Sequence, residues 1–321
     1  MNSAMLFSLD SKSTDTAPPP VLPIIDFSSF VDGDETERSR GASALVSALS
    51  QTGFVFLENH GLDEALVARM FSHSREFFAS DLEAKERFAW KDAASNRGYV
   101  RMGREKLSDL DKEGRGKEIK MLKEVSPDMK EAFDIGFDGP DVDKNIYPSQ
   151  EFGAFFESTF QTLHKLNVKL ITNMLRLLHY PRVRELEIND RSRRCGAHTD
   201  YGSLTLLFQD EVGGLEILNQ KTGEFVQVVP LPGTIVVNVG DLLQRWTNDF
   251  LPSVQHRVVK PYSVDKEGWL PSRYSIAYFC DPDFDVNVET IDKFVTAKNP
   301  RKYGIVNAGE YIISRLANSY A

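Results

Sequence analysis

The sequence has few cysteines, no excess of positive charge and no long apolar runs. Its two cysteines, Cys195 and Cys280, could in principle pair, but so few in 321 residues fit a reducing compartment better. Lysine and arginine number 38 against 47 aspartate and glutamate, and this acidic balance argues against nucleic acid as a partner, because phosphate binding draws on clustered basic side chains. No apolar run approaches the ~20 residues of a membrane span, and the N-terminus lacks the basic-then-apolar order of a signal peptide. We therefore expect a cytoplasmic protein that binds neither nucleic acid nor membranes, and the sequence implies no protein partner.

The chain divides by composition into three regions. Residues 1–20 are rich in Ser, Thr and Pro, end in APPP, and are expected to form a disordered tail. Residues 21–150 mix predicted helices and strands. Residues 151–321 begin with a long amphipathic helix and continue as short β-rich runs, which are LRLLHYP, AHTDYGSLTLLFQD, GGLEILN, EFVQVVP, TIVVNVGD, SVQHRVV and RYSIAYFC. Strands at such close spacing indicate an antiparallel sandwich or barrel, so the expected fold class is mainly β with bracing helices.

Apolar residues at spacings of three and four predict the helices. One spans Arg38 to Gln51, a second is capped by Asp63, and the long one runs from Phe152 to about Thr172. The C-terminal segment from Arg301 is again helical. The charged run from Arg101 to Lys130 has few apolar residues at either period and is expected to be a solvated surface segment.

Candidate metal ligands lie in the stretch RRCGAHTDYGSLTLLFQD. Side chains of an extended strand alternate between its two faces, so His198 and Asp200 point the same way. His256, in the later run SVQHRVV, supplies a second imidazole. Two His and one carboxylate on one face of an octahedron leave three positions open, which is the arrangement of non-haem Fe(II) oxygenases. An isolated HxD pair occurs often by chance and a lone histidine is more often structural, so the prediction depends on the whole combination.

The run RYSIAYFC places Arg273, Ser275 and Phe279 on one face by strand parity. An inward arginine is costly unless it meets a carboxylate, which its planar fork binds at two points. Arg273 with the Ser275 hydroxyl is therefore predicted to bind a carboxylate, and Phe279 offers a ring to a flat guest. The same parity in LRLLHYP groups Arg176 with Tyr180. Two inward arginines near one metal imply two polar guests.

The side chain of Tyr201 has two possible orientations. In a regular strand it faces opposite to Asp200. A β-bulge would turn it into the pocket instead, and the sequence does not decide between the two.

Several motifs together resemble one known family. They are LPIIDF, GFVFLENHG, HTDYGSLTLLFQD, GGLEI, VVNVGDLLQRWTN, SVQHRVV and RYSIAYF, and they cover nearly everything from Pro23 onward. The combination resembles the isopenicillin N synthase-like family of Fe(II)- and 2-oxoglutarate-dependent oxygenases. SNRGYVRMGREKL, DMKEAFDIG, LRLLHYP and RYSIAYFC are most similar to the fungal thymine 7-hydroxylase type, and fungal biosynthetic dioxygenases acting on aromatic polyketides are similar too. The resemblance implies a double-stranded β-helix, or jelly-roll, core formed mainly by residues after about Leu175.

The resemblance also implies a reaction and a set of site residues. The reaction is oxidation of a C–H bond, a ring methyl as first choice, in a small cyclic substrate such as a pyrimidine or a fungal secondary metabolite. Fe(II) would be the metal, with 2-oxoglutarate and O2 as co-substrates and succinate and CO2 as products. Carried over by position, the residues are His198, Asp200 and His256 for iron, Arg273, Ser275 and Tyr180 for 2-oxoglutarate, and Arg176, Tyr201, Phe279 and Asn96 for the substrate pocket.

One segment departs from the family pattern. A longer connector is expected between the long helix and LRLLHYP, but LNVKLITNMLRLLHYP runs on without Gly or Pro until Pro181. Either the helix ends abruptly near Asn173, or the chain has lost a piece. The second possibility leaves a non-catalytic binding protein as the alternative function. A further alternative is an oxidase of the same fold that does not use 2-oxoglutarate. The predicted carboxylate site at Arg273 and Ser275 argues against it.

Overall fold

The computed structural model describes residues 22–107, 128–136, 144–166, 172–185, 194–261 and 264–320. The tail expected over residues 1–20 lies outside these ranges. The strands are β1 (Ile24–Asp26), β2 (Phe54–Glu58), β3 (Gly98–Val100), β4 (Glu131–Gly136), β5 (Thr172–Tyr180), β6 (Val183–Arg184), β7 (Cys195–His198), β8 (Leu204–Gln209), β9 (Leu215–Asn219), β10 (Glu224–Gln227), β11 (Ile235–Val239), β12 (His256–Val258), β13 (Trp269–Leu270), β14 (Arg273–Asp281), β15 (Asn287–Val288) and β16 (Val306–Asn307). The helices are α1 (Ser28–Val31), α2 (Glu35–Thr52), α3 (Glu64–Ala79), α4 (Leu82–Glu86), α5 (Gln150–Leu166), α6 (Asp241–Trp246) and α7 (Ala308–Ser319). Within the described ranges, no helix combines the length and the apolarity that crossing a membrane requires.

Most of the strands form a large sheet and a smaller one. The large sheet has the order β1-β2-β11-β8-β14-β5-β4-β3, and the smaller has the order β10-β9-β12-β7. Neighbouring strands in both sheets pair antiparallel except β1 and β2, which run parallel. Buried apolar clusters combine residues of both sheets, one of them including Phe56 and Ile217 and another including Ala277 and Val258. The chain thus has the mainly β, jelly-roll core that was expected.

The N-terminal half contributes strands β1 to β4 to the two ends of the large sheet, besides the expected bracing helices. Asp63 caps α3, as the sequence predicted. The helix α5 buries Phe156 and Leu163 in one cluster with Ile276 and Tyr278 of β14. These helices cover the face of β14 that is opposite to Arg273 and Ser275, and they leave the other face for the interior of the jelly roll.

The described part of the long helix α5 stops short of the predicted end near Thr172. It is described as far as Leu166, and from Thr172 onward the chain forms β5; residues 167–171, where the short connector falls, lie outside the described ranges. One edge of β5 pairs with β14 along its whole length, and the other edge pairs with β4. Pairing at both edges outweighs the helical spacing of its apolar residues, since tertiary context commonly overrides local propensity. Arg176 and Tyr180 therefore lie on an extended strand.

Part of the charged run between residues 101 and 130 is buried, contrary to the expectation of a solvated surface. Glu105, Asp128 and Lys130 are at most 4% exposed. The Lys130 ammonium lies 3.0 Å from the Glu105 carboxylate and 2.9 Å from that of Asp128. Charged groups can be buried when they neutralise one another, and such pairing has no sequence period that would reveal it. Residues 108–127 of the run lie outside the described ranges.

Candidate metal centre and adjoining cavities

Three candidate ligands, His198, Asp200 and His256, converge inside the jelly roll and are called the His-Asp-His cluster below. His198 is the last residue of β7 and His256 is the first of β12, and the two are paired across these antiparallel strands. Asp200 lies just beyond the end of β7. Its Oδ1 is 3.8 Å from His198 Nε2 and 3.7 Å from His256 Nε2, and one ligand atom from each residue lies within 4.8 Å of the others. The sequence placed Asp200 on the strand itself, and the three side chains still meet.

Backbone carbonyls orient both imidazoles of the cluster. His198 Nδ1 lies 2.8 Å from the carbonyl oxygen of Gly196, and His256 Nδ1 lies 3.4 Å from that of Val254. A carbonyl oxygen can only accept a hydrogen bond, so Nδ1 carries the ring proton in each histidine. The Nε2 atoms, which lie towards Asp200, are then the ring nitrogens that can bind a metal.

Hydrogen bonds to Oδ2 orient the carboxylate of Asp200. Its Oδ2 accepts hydrogen bonds from Thr205 Oγ1 at 2.5 Å and from Asn238 Nδ2 at 2.7 Å, which leaves Oδ1 towards the imidazoles. Burial works to raise the pKa of Asp200, but His256, His198 and the two hydrogen bonds together hold it below its usual value. Two imidazole nitrogens and one carboxylate oxygen are a donor set that fits Fe(II).

The guanidinium of Arg273 lines a first cavity, which also reaches the His-Asp-His cluster. Arg273 is 1% exposed, and it donates to the Gly213 carbonyl at 2.8 Å and to the Ser275 hydroxyl at 3.0 Å. Its Cζ lies 4.8 Å from the ring centre of Tyr180. No carboxylate in the described part of the chain forms an ion pair with Arg273. Because a buried cation needs a counter-charge, these residues fit the carboxylate of a guest such as 2-oxoglutarate.

A second cavity adjoins the first. Both are lined by Leu107, Arg176, His198, Asp200 and Phe279. Together with their mouths, the second cavity holds about 490 Å³ and the first about 540 Å³ of space free of protein atoms. The His-Asp-His cluster therefore faces two neighbouring spaces.

Three of the residues implied for the substrate pocket, Asn96, Tyr201 and Phe279, line the second cavity. Tyr201 lies beyond the end of β7, where strand parity no longer applies, and its hydroxyl is 2.8 Å from that of Ser319. The Asn96 amide accepts a hydrogen bond from the indole of Trp90 at 3.2 Å. Their contact with a substrate stays a prediction.

Arg176 lines both cavities, but protein carboxylates already pair with it. Its Nε and Nη2 donate to Asp134 at 2.7 and 2.8 Å, its Nη1 donates to Glu105 at 3.1 Å, and its Nη2 also donates to the Tyr320 hydroxyl at 2.9 Å. Asp134 and Glu105 therefore already supply the counter-charge of Arg176, and its contact with a polar guest stays a prediction. Its Nη1 makes one hydrogen bond within the described ranges and has a second N–H to offer.

The sequence analysis missed Asp281, which ends β14 and lines the second cavity. The parity that grouped Arg273, Ser275 and Phe279 continues to residue 281, so the signal was present. Asp281 is 8% exposed. Burial, and then the charge of Asp200, raise the pKa of Asp281 to about 7.

The C-terminal helix α7 was predicted as a helix but not as part of the site. Its residues Ile312 and Leu316 line the second cavity, and Tyr320, directly after it, bonds Arg176. No local pattern indicates such a contact, because these residues are far from the cavity's other walls in sequence. The helix thus supplies an apolar wall to the space beside the His-Asp-His cluster.

Two family models match the chain. The 2OG-Fe(II) oxygenase superfamily matches residues 171–282, which contain the His-Asp-His cluster and Arg273. The model described as the non-haem dioxygenase in morphine synthesis N-terminal region matches residues 22–153. Together they span most of the described fold.

The chain is also similar over nearly its whole length to curated proteins and solved structures. It is 34% identical to a proline hydroxylase of Petromyces alliaceus, over 92% of this chain and 98% of that protein. It is 32% identical to a 2-oxoglutarate-dependent dioxygenase of Aspergillus rugulosus, over 92% and 98%. A full-length Neurospora crassa protein, solved in complex with alpha-KG and thymine, has a TM-score of 0.82 and 36% identity, over 93% of this chain and 97% of that one. The chain therefore belongs to the superfamily of Fe(II)- and 2-oxoglutarate-dependent oxygenases, and it is a dioxygenase that uses Fe(II), 2-oxoglutarate and O2 on a small-molecule substrate.

Proposed function

We propose that the His-Asp-His cluster holds the iron and that Arg273, Ser275 and Tyr180 hold 2-oxoglutarate in the first cavity. The single observation that carries the proposal is the convergence of three metal-ligand side chains beside a buried arginine that forms no ion pair with a described carboxylate. One carboxylate of 2-oxoglutarate would give Arg273 its counter-charge. The Ser275 hydroxyl and the Tyr180 ring would fix the orientation of that carboxylate.

When bound, the iron supplies O2 activation coupled to oxidative decarboxylation of 2-oxoglutarate to succinate and CO2. The chain supplies orientation. Thr205 and Asn238 keep one oxygen of Asp200 turned to the metal position, and the carbonyls of Gly196 and Val254 do the same for the imidazoles. The apolar wall that Ile312 and Leu316 of α7 form would limit the access of water to the second cavity.

For the primary substrate, we propose a small cyclic molecule that binds in the second cavity and loses hydrogen from a C–H bond, with a ring methyl as the first choice. A pyrimidine or a fungal secondary metabolite would fit. Thymine is bound by the similar Neurospora crassa protein, and several relatives are fungal 2-oxoglutarate-dependent dioxygenases. Phe279, on the wall shared by both cavities, offers a ring against which a flat substrate would pack.

A screen of 2-oxoglutarate turnover tests this substrate proposal. Thymine, uracil derivatives and methylated phenolic polyketides are each added to the iron-loaded enzyme, and succinate release, O2 consumption and hydroxylated product are measured. We expect one class to raise succinate release and to yield product in equal amount. Succinate release that no cyclic compound stimulates would contradict the proposal.

The non-catalytic alternative depended on the short connector before Arg176. Residues 167–171 lie outside the described ranges, but Arg176 and Tyr180 lie on β5 and face the cavities. The three side chains of the His-Asp-His cluster and the Arg273 guanidinium are also all present at the first cavity. Nothing in the described residues favours a binding protein over an enzyme, so we propose no second function.

Arg273→Leu is expected to raise the requirement for 2-oxoglutarate steeply while iron stays bound. Loss of one partner of a buried charge pair costs roughly 2–5 kcal/mol, which is about 30-fold to several thousandfold in affinity. Succinate release is measured as a function of 2-oxoglutarate concentration, and Fe(II) binding is measured separately under anaerobic conditions. The two measurements separate an effect on 2-oxoglutarate binding from an effect on iron binding. An unchanged 2-oxoglutarate dependence would mean that another group binds its carboxylate.

A further inference from the structure

A second buried arginine, Arg194, lies close to Arg273 and also lacks a carboxylate partner. It directly precedes β7 and is 1% exposed. Its side chain forms no ion pair with a carboxylate in the described ranges, and its Nη1 has no hydrogen-bond partner there. Burial, and then the charge of Arg273, lower the pKa of Arg194 to about 10. Two like charges repel strongly in a buried region, so this pair of arginines needs negative charge beside it.

Arg194 also ties together the two strands that carry Tyr180 and Arg273. Its Nη2 donates to the Pro271 carbonyl at 3.0 Å and to the Pro181 carbonyl at 3.4 Å. Pro181 directly follows Tyr180 at the end of β5, and Pro271 lies two residues before Arg273 at the start of β14. Because Tyr180 and Arg273 are paired across these strands, the guanidinium of Arg194 fixes the chain on both sides of that pair.

The charge of one protein carboxylate, Asp210, acts on both arginines, but the backbone holds this carboxylate. Its Oδ2 accepts a hydrogen bond from the Tyr274 N–H at 2.5 Å, and its Oδ1 accepts one from the Val212 N–H at 3.1 Å. Burial raises the pKa of Asp210, although these N–H groups and Arg273 work to lower it. In the described structure Asp210 forms no ion pair with either arginine, so two buried positive charges face at most one negative charge.

We propose that Arg194 is a positioning residue that makes the first cavity select the dianion 2-oxoglutarate over a 2-oxo acid with a single carboxylate. The carboxylate remote from the 2-oxo group would supply the negative charge that Arg194 and Arg273 lack between them. Arg194 lines neither cavity, so it acts through Arg273 and Tyr180 and not by contact with the guest. This inference rests on the proposed function, in which Arg273 binds a carboxylate of 2-oxoglutarate, and deepens it.

The test compares 2-oxoglutarate with 2-oxopentanoate, which has the same carbon chain length and a methyl group in place of the remote carboxylate. Binding of each acid to the Fe(II)-loaded protein is measured by anaerobic calorimetric titration, for the unmodified chain, Arg194→Gln, Arg194→Lys and Arg245→Gln. Glutamine keeps an N–H donor for the two carbonyls but removes the charge, whereas lysine keeps the charge. Arg245→Gln is the control, because Arg245 also donates to a backbone carbonyl, that of Gly304 at 3.1 Å, and lines neither cavity.

Arg194→Gln is expected to bind 2-oxoglutarate at least about tenfold more weakly than the unmodified chain, because charges interact strongly in a buried site. Its affinity for 2-oxopentanoate should change less than about threefold, since the methyl group carries no charge for Arg194 to attract. Arg194→Lys should lie between the glutamine variant and the unmodified chain, and Arg245→Gln should bind both acids normally. A merely structural role of Arg194 would weaken both acids alike, and lysine would then restore nothing.

An unchanged affinity of Arg194→Gln for 2-oxoglutarate would overturn the proposal. So would an equal loss of affinity for the two acids, or an equal loss in the glutamine and lysine variants. If 2-oxopentanoate binds too weakly to measure, the comparison of glutamine with lysine decides alone. Fe(II) binding is checked first to show that each variant is folded, and Arg194→Met replaces Arg194→Gln if the latter does not bind iron.

The proposed function fails separately, and Arg273→Leu distinguishes the two failures. Normal binding of 2-oxoglutarate by Arg273→Leu would count against the proposed function. Weak binding by Arg273→Leu together with normal binding by Arg194→Gln would count against the role of Arg194 alone.

Discussion

Replacement of His198, Asp200 or His256 by alanine is expected to abolish Fe(II) binding and succinate release. Two remaining ligands do not hold a labile divalent ion against water, and the lone pairs of all three residues face one point. The measurements are anaerobic Fe(II) binding and succinate release at stoichiometric iron. Full activity of any of the three variants would remove the metal assignment.

Two further variants test the Fe(II) assignment, one with an intermediate expected effect and one as a control. Asn238→Leu removes one of the hydrogen bonds that orient Asp200, and loss of such a supporting partner typically costs about 10–100-fold in metal affinity. It should therefore lie between the alanine variants and the unmodified chain. His60→Asn is the matched control, because His60 lies outside the cluster and accepts a hydrogen bond from the Leu62 N–H, which an asparagine oxygen can also do. It should bind iron normally.

Arg176→Met is expected to destabilise the protein by about 3–5 kcal/mol, because removal of one partner of a buried ion pair leaves the other charge unpaired. The residues left behind, Asp134 and Glu105, are 2% and 4% exposed. Urea unfolding measures the loss. The matched control is Arg182→Met, which breaks a more exposed pair with Asp265 at 2.6 Å and should cost only about 0–1 kcal/mol.

The loss of stability in Arg176→Met should also depend on pH. In the intact protein, burial works to raise the pKa of Glu105, but Lys130 and Arg176 together hold it at about 2. Burial raises the pKa of Asp134 even with Arg176 present. Without Arg176, Asp134 should bind its proton still more tightly in the folded than in the unfolded chain, so the stability of the variant falls as the pH rises, whereas Lys130 still pairs with Glu105. The deficit should be smaller at pH 5 than at pH 8.

The sequence alone assigned Arg176 only to the substrate. On that assignment its loss leaves the fold intact and uncouples decarboxylation of 2-oxoglutarate from product formation, because the C–H bond is misplaced. The structure adds the ion pairs with Asp134 and Glu105, so instability should accompany any uncoupling. Normal stability of Arg176→Met would mean that these ion pairs contribute little.

Local patterns were enough for the β-rich core and for the order of its elements. The parity of β14 placed Arg273, Ser275 and Phe279 on one face, and the strand pairs with β5 so that Tyr180 lies opposite Arg273. Parity works here because β14 is regular over nine residues and the alternation is fixed by backbone geometry. The same rule extended by one step would have found Asp281.

Parity failed where regular structure stops. Tyr201 lies past the end of β7, and the segment after α5 changes from helix to strand because β14 and β4 pair with it. The charged run around Glu105 and Lys130 looked solvated, since a sequence gives the charges but not which of them meet. These are outcomes of long-range contacts.

The sequence by itself determined the family and the fold class, and it predicted which side chains bind iron and a carboxylate, because these depend on residue type and strand alternation. Only the tertiary structure decided which charges are already paired. Arg176 meets Asp134 and Glu105 across strands and loops far apart in the chain, whereas Asp281 meets no described partner. Whether a buried charge is matched within the protein or left for a ligand depends on distances of a few ångströms between segments, which no local pattern encodes.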